Sequence, residues 1–595
     1  MAKWLLRQTT SDIANITRQA GLPPVLGRIL AVRGYRSSDE IHAFLKAESL
    51  DFVDPFAFTD MDKAVFCTQK ALKENQNIAI FGDYDADGIM STVILFLALK
   101  ELGAQVTYYI PNREGEGYGL NKEALSQLKN QGVDLIIACD NGISAFEEVE
   151  FATSLGMDTI ILDHHAVKME DETKMIQRLP KAIAIVDPKR TDCNYPFPYY
   201  CAAGICYRFS QALYTSLKRD WHKMEEICLP LAAIATICDL VELTGENRKL
   251  VKNGLPQITK SKNPGLEALI EATGLRGKEL DTYHIGFILG PCINASGRLE
   301  TADIAVKLFL TSDVQTAQNI AADLVALNTR RRKMTEDGAA LAFQLIEEQE
   351  LNRDKIIVLH CKDFMESVAG IIAGKVKEKY HRPAIIIGGN KGVLHGSCRS
   401  IEAYNIFAGL NACEEYLLSF GGHPMAAGLS INRDMVTSFA QRINELCELV
   451  ADDFQATFRI DCPIPPSQAT LSLARELTAF APYGIGNPLP LFAYKNLSIE
   501  KITLLGKDER VMRWLVKEEA GHIVELVDFC GKETLKAYIS ETFGDDFWRD
   551  LLAGKRQNTV KVDIIYTLQV NTYNGTDSAR LQVVDFRPCR KLSIL

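Results

Sequence analysis

Between Asn77 and Arg190 the chain repeats one pattern, a short apolar run that stops at acidic or histidine residues. The segments "NIAIFGDYDADG", "DLIIACDNGIS", "TIILDHH" and "AIAIVDPKR" all follow it, with helical patterns such as Ser91–Leu102 and Asn121–Asn130 between them. Short apolar runs bounded by turn signals suit strands buried on both faces. Their alternation with helices predicts a parallel α/β sheet. Ligands of such sheets bind outside the carboxyl ends of the strands. Each of these polar clusters falls at that end.

From Ser312 to Glu350 the pattern is helical, interrupted by Gly338 and by no proline. A helix of that length outside a coiled coil is expected to bridge two lobes. Strand patterns resume at "KIIVLH" and "PAIIIGG", predicting a second α/β module to about residue 450. After "CPIPPS" the texture changes again. "KVDIIYTLQVNTYNGTDSARLQVVDFRP" alternates apolar and polar residues around Asn574-Gly575, a hairpin signature that predicts a β-rich C-terminal domain, a small barrel. The expected organisation is an N-terminal segment packing on the core (1–70), a first α/β domain (71–311), a connecting helix (312–350), a second α/β domain (351–452) and the β domain (453–595).

Composition narrows this picture only slightly. A net charge of −10 gives no whole-chain hint of nucleic-acid binding, although a local basic cleft can act within an acidic protein. The 15 cysteines are scattered without CxxC or zinc spacing, in apolar contexts such as "IIACD" and "ATICD". They read as reduced, buried thiols of a cytoplasmic protein. The opening "MAKWLLRQTTSD" is too short in apolar residues for a signal peptide, and the longest apolar run, Val93–Leu99, is far short of a membrane span.

The strand ends change the picture most. "GDYDADG" offers Asp83, Asp85 and Asp87, with Gly88 permitting a tight turn into the next helix. Asp85 and Asp87 are two apart, so on an extended strand end they would point the same way. "ACDNG" offers Asp140, "LDHH" offers Asp163, His164 and His165, and "ATICDLVEL" offers Asp239 after another apolar run. One aspartate after a strand is ordinarily a helix cap or turn former. Several together, with imidazole, suit a hard divalent cation such as Mn²⁺ or Mg²⁺ better than a thiolate-rich zinc site. Two such ions about 3.5–4 Å apart can activate water and neutralise phosphate oxygens. Without cations, packing these carboxylates together would be costly.

"GDYDADG", "CDNGIS", "DHH" and "ICDLVEL…ENR" resemble the four motifs of the DHH phosphoesterase superfamily. The segments "PNREGEGYGL", "GPCINASGRL", "GSCRS", "FGGHPMAAGLS" and "APYGIGNP", in that order, resemble its RecJ-type branch, single-strand-specific 5′→3′ DNA exonucleases. The resemblance implies a DHH catalytic domain, a DHHA1 substrate-binding domain and an oligonucleotide-binding (OB) barrel. It implies two Mn²⁺ or Mg²⁺ ions on Asp85, Asp87, Asp140, His164 and Asp239, with Asp140 as the bridge. His165 would then stand beside the scissile phosphate, and Asp83 and Asp163 would orient ligands. Arg113, Tyr118, Arg298, Ser397, Arg399, Gly421, Gly422 and His423 would hold the strand, with Ser397 and Arg399 gripping a 5′ phosphate. The implied product is a 5′-mononucleotide, released in recombination and repair by a monomer working with a helicase and a single-strand-binding protein. In the β domain, Trp514, Tyr566 and Tyr573 are candidates for base stacking or for core. The default for Arg331 and Arg332 is a solvated helix face.

The match departs in places. "DFMESVAGI" lacks the histidine usual before "GIIAGKVKEKY", Cys398 replaces a glycine in "GSCRS", and Phe81 stands where some relatives have histidine. None removes a carboxylate. A relative cleaving short RNA or cyclic dinucleotides would lack the C-terminal barrel. A non-catalytic replication subunit of this fold would have lost metal carboxylates that this chain keeps.

Overall fold

The computed structural model describes residues 2–112, 116–171, 176–390, 392–506, 509–529, 531–555, 560–573 and 575–589. Arg113 and Asn574 therefore lie outside the described residues. The chain forms two compact units: residues 48–454 with 484–486, and residues 1–47, 455–483 and 487–595. Among the described residues no helix is long and apolar enough to cross a membrane.

The larger unit begins with a five-stranded, all-parallel sheet. Its strands are β1 (Asn77–Phe81), β2 (Gln105–Tyr109), β3 (Leu135–Cys139), β4 (Asp158–Leu162) and β5 (Ala184–Val186), in the order β2-β1-β3-β4-β5. Alternate residues feed two separate cores, which is why these strands read as unbroken apolar runs. Ile78, Ile80, Leu135, Ile137 and Leu162 face the large core under helices α1 (Ala86–Glu101), α2 (Ala202–Ser216) and α3 (His222–Cys238). Ala79, Phe81, Ile136, Ala138 and Ile161 face Leu125, Leu128 and Val149 on the other side.

Helix α4 (Gly290–Leu299) follows, and then α5 (Val314–Glu348), the 35-residue helix expected from the pattern. Ala317, Ala321, Leu324 and Leu327 of α5 join the first core, whereas Ala342 and Ile346 join the core of a second lobe. That lobe carries β6 (Ile357–His360), helix α6 (Glu366–Tyr380), β7 (Ala384–Gly388), β8 (Val393–Arg399), β9 (Leu417–His423) and β10 (Ala426–Asn432). Its sheet is mixed, ordered β9-β10-β8-β7-β6, with only β6 and β7 parallel.

The smaller unit contains a closed five-stranded barrel. Strands β11 (Phe492–Leu505), β12 (Val511–Lys517), β13 (Ile523–Asp528), β14 (Val560–Tyr573) and β15 (Thr576–Pro588) pair around the ring, and β11–β14 closes it. Strands β14 and β15 pair antiparallel, with Tyr573 opposite Thr576. Trp514 and Tyr566 are fully buried in its core, so of the three aromatic stacking candidates only Tyr573 is available at the surface, 73% exposed. Residues 1–47 belong to this unit. Strand Lys3–Leu6 pairs in parallel with Thr457–Ile460, and Leu26, Ile29 and Leu30 pack on Phe480 and its neighbours. The stretch 1–70 thus divides between the two units.

Candidate metal centre and substrate cleft

Each acidic side chain is placed by a distinct local device. After β1 the chain turns sharply at Gly82–Asp83. A Cβ on Gly88 would lie 2.6 Å from the Asp83 backbone N and O, so only glycine lets the helix start so close. Asp85 and Asp87 do not lie on an extended strand end. Asp85 N-caps α1, accepting from the N–H groups of Asp87 (2.9 Å) and Gly88 (3.2 Å), while Asp87 sits in the first helical turn. Both Asp87 oxygens also accept from the N-terminus of α2, from Ala202 N (2.7 Å) and Ala203 N (2.8 Å). Asp239 caps the C-terminus of helix α3 and is not at a strand end. The apolar run before it is helical because "LAAIATIC" is buried on nearly all sides, and short apolar runs do not distinguish the two states.

Asp140 follows β3 in a left-handed conformation (φ +62°), uncommon for a residue with a side chain. It is held there by its own N–H donating to Leu162 O (3.1 Å) and by Tyr118 Oη donating to its carbonyl (2.7 Å). Asp163, fully buried after β4, takes four bonds. Its Oδ1 accepts from His164 N (2.7 Å), His165 N (3.2 Å) and His165 Nδ1 (2.7 Å), and its Oδ2 from Ile143 N (3.0 Å). It thereby aims the His165 imidazole directly and holds the backbone that carries His164. His164 Nε2 lies 3.2 Å from Asp140 Oδ1 and 3.7 Å from an oxygen of each of Asp87 and Asp239.

Three sets of side chains have ligand atoms within 4.8 Å of one another: Asp83, Asp85 and Asp140; Asp87, His164 and Asp239; and Asp140, His164 and His165. Asp140 joins two of these sets and Asp83 is as close as Asp85, although the sequence reading placed Asp83 as an orienting group. The electrostatics are those of a cation site. Burial, and then the charge of Asp85, push Asp87 up to about 6. Burial and the neighbouring carboxylates hold Asp140 and Asp239 well above the usual carboxylate range. Burial, and then the charge of His165, push His164 down to about 3, so it is a neutral imidazole. Asp239 Oδ2 and His164 Nδ1 are buried without a hydrogen-bond partner. Buried carboxylates that repel one another, a neutral imidazole and an orphaned oxygen fit a hard divalent cation.

His165 differs from its neighbour. Burial pulls it down, but the Asp163 carboxylate outweighs this and raises it to about 9. It stands at the rim, its Nε2 3.3 Å from Tyr118 Oη and its ring stacked on His423 of the second lobe at 6.2 Å and 15°. Between the lobes lies a cleft of about 410 Å³ whose lining includes Tyr84, Tyr118, Ser367, Ser397, Phe420 and Gly421.

Ser397 and Arg399 lie on strand β8, not on a turn. Arg399 Nη2 would be 3.0 Å from a Cβ on Gly370, so it runs along the first turns of α6. Gly421, Gly422 and His423 pair with Gly428, Ala427 and Ala426. Arg298 Nη1 donates to Ser367 O (3.1 Å) and ties α4 to α6. Arg331 departs from the solvated default, with Nη2 donating to Asn328 Oδ1 (2.7 Å), while Asn328 Nδ2 donates to Cys292 Sγ on α4.

Sequence reasoning passed over three supports. Asn141 Nδ2 donates to Phe81 O (3.2 Å) and Cys139 O (2.9 Å), joining two strand ends. Asn294 Oδ1 accepts from Ala86 N (2.7 Å). Asp187, at the end of β5, is buried and pushed up to about 8 by burial and then by Asp163. Its signal was present, since "AIAIVDPKR" repeats the strand-end pattern.

Comparison with known proteins agrees with this geometry. The DHH family N-terminal domain matches residues 77–236, the DHHA1 domain residues 353–451 and the RecJ OB domain residues 460–585. The single-stranded-DNA-specific exonuclease RecJ of Bacillus subtilis (strain 168) is 34% identical over 98% of this chain and 70% of its own. The protein of that name from Escherichia coli (strain K12) is 32% identical over 98% of this chain and 99% of its own. Crystal structures of RecJ from Thermus thermophilus also match. The Mn²⁺ complex has a TM-score of 0.81 at 26% identity, covering 99% of this chain and 80% of that one. The Mg²⁺ complex has 0.73 at 25%, covering 98% and 78%. With three domains matched in order and relatives above 30% identity along nearly its whole length, the chain belongs to the RecJ family of single-stranded-DNA-specific exonucleases.

Proposed function

We propose that this protein is a Mn²⁺- or Mg²⁺-dependent exonuclease that removes 5′-mononucleotides from the 5′ end of single-stranded DNA, in recombination and DNA repair. The observation that carries the reading is the cluster of Asp83, Asp85, Asp87, Asp140, His164 and Asp239, in which burial and neighbouring carboxylates hold Asp140 and Asp239 well above the usual carboxylate range. Two ions would be held by Asp85, Asp87, Asp140, His164 and Asp239, with Asp83 beside Asp85 and Asp140 common to two of the three candidate sets. Bound there, they supply an activated water and neutralise the phosphate oxygens. The protein's own groups do the positioning. Asp163 fixes the backbone that carries His164, and the imidazolium of His165, at the rim, donates to a phosphate oxygen. Ser397, Arg399, Arg113 and Tyr118 hold the terminal nucleotide, and the narrow cleft admits one strand.

Domain roles follow the same reading: hydrolysis in 71–311, spacing by 312–350, grip on the strand in 351–452 and capture of single strands by the barrel within 453–595. The protein works as a cytoplasmic monomer behind a helicase, on strands handed over by a single-strand-binding protein.

The test is digestion of 5′- and 3′-labelled single strands, duplex DNA and RNA in Mn²⁺, beside Asp140→Asn. Asparagine tolerates the left-handed backbone of this position, so a loss reports the carboxylate. Release of labelled mononucleotide from 5′-labelled single strands, abolished in the variant, is expected. Digestion from the 3′ end, or activity surviving in Asp140→Asn, sinks the reading.

A further inference from the structure

Beside the acidic cluster lies a feature the catalytic reading does not use. Asp281 caps a short helix, Thr282–His284, which runs into a π-helical turn, Ile285–Leu289, before α4 begins. Single π turns inside helices mark functional sites more often than ordinary helix does. Here the inner residues Ile285 and Leu289 are fully buried, while Tyr283 and Phe287 are 59% and 71% exposed. Four apart on one face, their rings stack at 5.1 Å and 24°. The turn is seated on the end of helix α3. A Cβ on Gly286 would lie 3.7 Å from Ile237 Cγ2, and one on Gly290 would lie 2.4 Å from Cys238 Sγ. The next residue after Cys238 is Asp239, and Leu240 beyond it is 68% exposed in a left-handed conformation (φ +59°).

A lone exposed aromatic residue needs no explanation, but a stacked pair fixed by a buried π turn, with an exposed leucine on the adjoining segment, is a presented apolar surface. Its position selects the occupant, because the surface is built on the residues that carry a carboxylate of the hydrolytic cluster. A single strand entering that cluster brings unpaired bases with it, and bases stack on aromatic rings without regard to sequence. We propose that Tyr283 and Phe287 form a base-stacking subsite of this enzyme, holding a nucleobase of the single strand next to the metal centre. The inference rests on the exonuclease reading above.

The experiment compares wild type with Tyr283→Ala/Phe287→Ala and with Phe287→Trp. Both positions are exposed, and melting curves confirm that the variants fold. Substrates are a single strand of about 20 nucleotides, the same strand with abasic residues near its 5′ end, and a bis-aryl phosphodiester that carries no base. In the double alanine variant, the ratio of kcat/KM on the strand to that on the small diester falls roughly tenfold for each base that loses its stacking partner. Phe287→Trp keeps the ratio at the wild-type level or above it, and the abasic strand no longer distinguishes the variants from wild type. An unchanged ratio in the double variant, or an equal loss on the abasic strand, overturns the subsite while leaving the exonuclease reading intact. A wild-type enzyme that leaves the strand undigested overturns the reading beneath it.

Discussion

The two α/β lobes of the larger unit are built from the same parts and hold opposite kinds of site. The first, all-parallel sheet ends in a concentration of charge, with Asp83, Asp87, Asp140, Asp163 and His164 all buried at the ends of strands or the starts of helices. Among its described residues the lobe of the second, mixed sheet buries no carboxylate, histidine, lysine or arginine. Among its described residues the buried polar side chains are Ser367 and Ser400. What it offers is backbone and small residues, with Gly421, Gly422 and Gly428 leaving the β9–β10 face bare and Arg399 and His423 at its margin. The difference fits the tasks proposed above for the two faces. Holding cations requires fixed negative charge, which is destabilising until the cations arrive. The polyanion binding proposed for the second lobe calls for less fixed negative charge, and of its carboxylates Glu366 lines the cleft.

The largest effect expected is a separation of stability from activity in the first lobe. Asp140→Asn loses on the order of a thousandfold or more in rate. Without divalent cations it melts a few degrees above wild type, because one of several mutually repelling charges is gone. Activity and metal-free melting temperature, measured on the same preparation, check both halves. A variant that loses activity and melts lower would mean the cluster is not strained, which removes half of the contrast between the lobes.

The second lobe should break differently, through backbone shape. Gly422 has φ +143°, a conformation open to glycine, and a Cβ there would lie 2.5 Å from Ala426 O and Ala427 Cα, which cannot yield. Gly422→Ala is expected to displace His423 and raise KM for single strands about tenfold or more, at a stability cost of about 1–3 kcal/mol. At Gly421 a Cβ meets nothing within 4 Å, so Gly421→Ala should fold as wild type does. Equal stability losses in the two variants would refute the steric account.

Much of this contrast was legible in the sequence, and the reasons are local. Four apolar runs ending in acids were enough to foresee the parallel sheet and its buried carboxylates, because period and strand-end chemistry are short-range signals. The direction of Asp85 and Asp87 was misread as a strand end because the turn that forms at Asp83–Gly88 is set by contacts across the helix start. Asp239 was read into the same pattern, although its apolar run is helix α3, buried on almost every side. The placement of residues 1–47 with the barrel could not be read, since it depends on a strand pairing across about 450 residues. The stacked pair Tyr283 and Phe287 had no signal beyond two aromatic residues at helical spacing, which more often mark a core.

The smallest effect expected, and the most diagnostic of charge, is a pH-dependent response to Mg²⁺. Above about pH 6.5 the unfolded chain has lost its carboxylate protons, whereas folded Asp140 and Asp239 are held well above the usual range by burial and by neighbouring carboxylates. The folded form therefore binds more protons, and its stability falls as pH rises. His165, raised to about 9 by Asp163, acts in the same direction: its contribution is complete below about 6.5 and is lost as pH passes 9. His164 and His423, both pushed down by burial, act in the opposite direction, but that effect is mostly spent by about pH 7 and ends by about pH 8, as the unfolded imidazoles lose their last protons. Asp187, raised to about 8, adds to the fall but lies outside the three sets of candidate ligands. Metal-free protein should thus melt progressively lower from about pH 7 to 9. Saturating Mg²⁺ removes the carboxylate part of that fall, so the gain in melting temperature on adding it should widen by a few degrees over the same interval. In Asp140→Asn the widening should shrink, because one of the titrating groups is missing. A gain that stays constant with pH would show that cation binding and proton release are uncoupled, and that the first lobe's charge is not what its cations relieve.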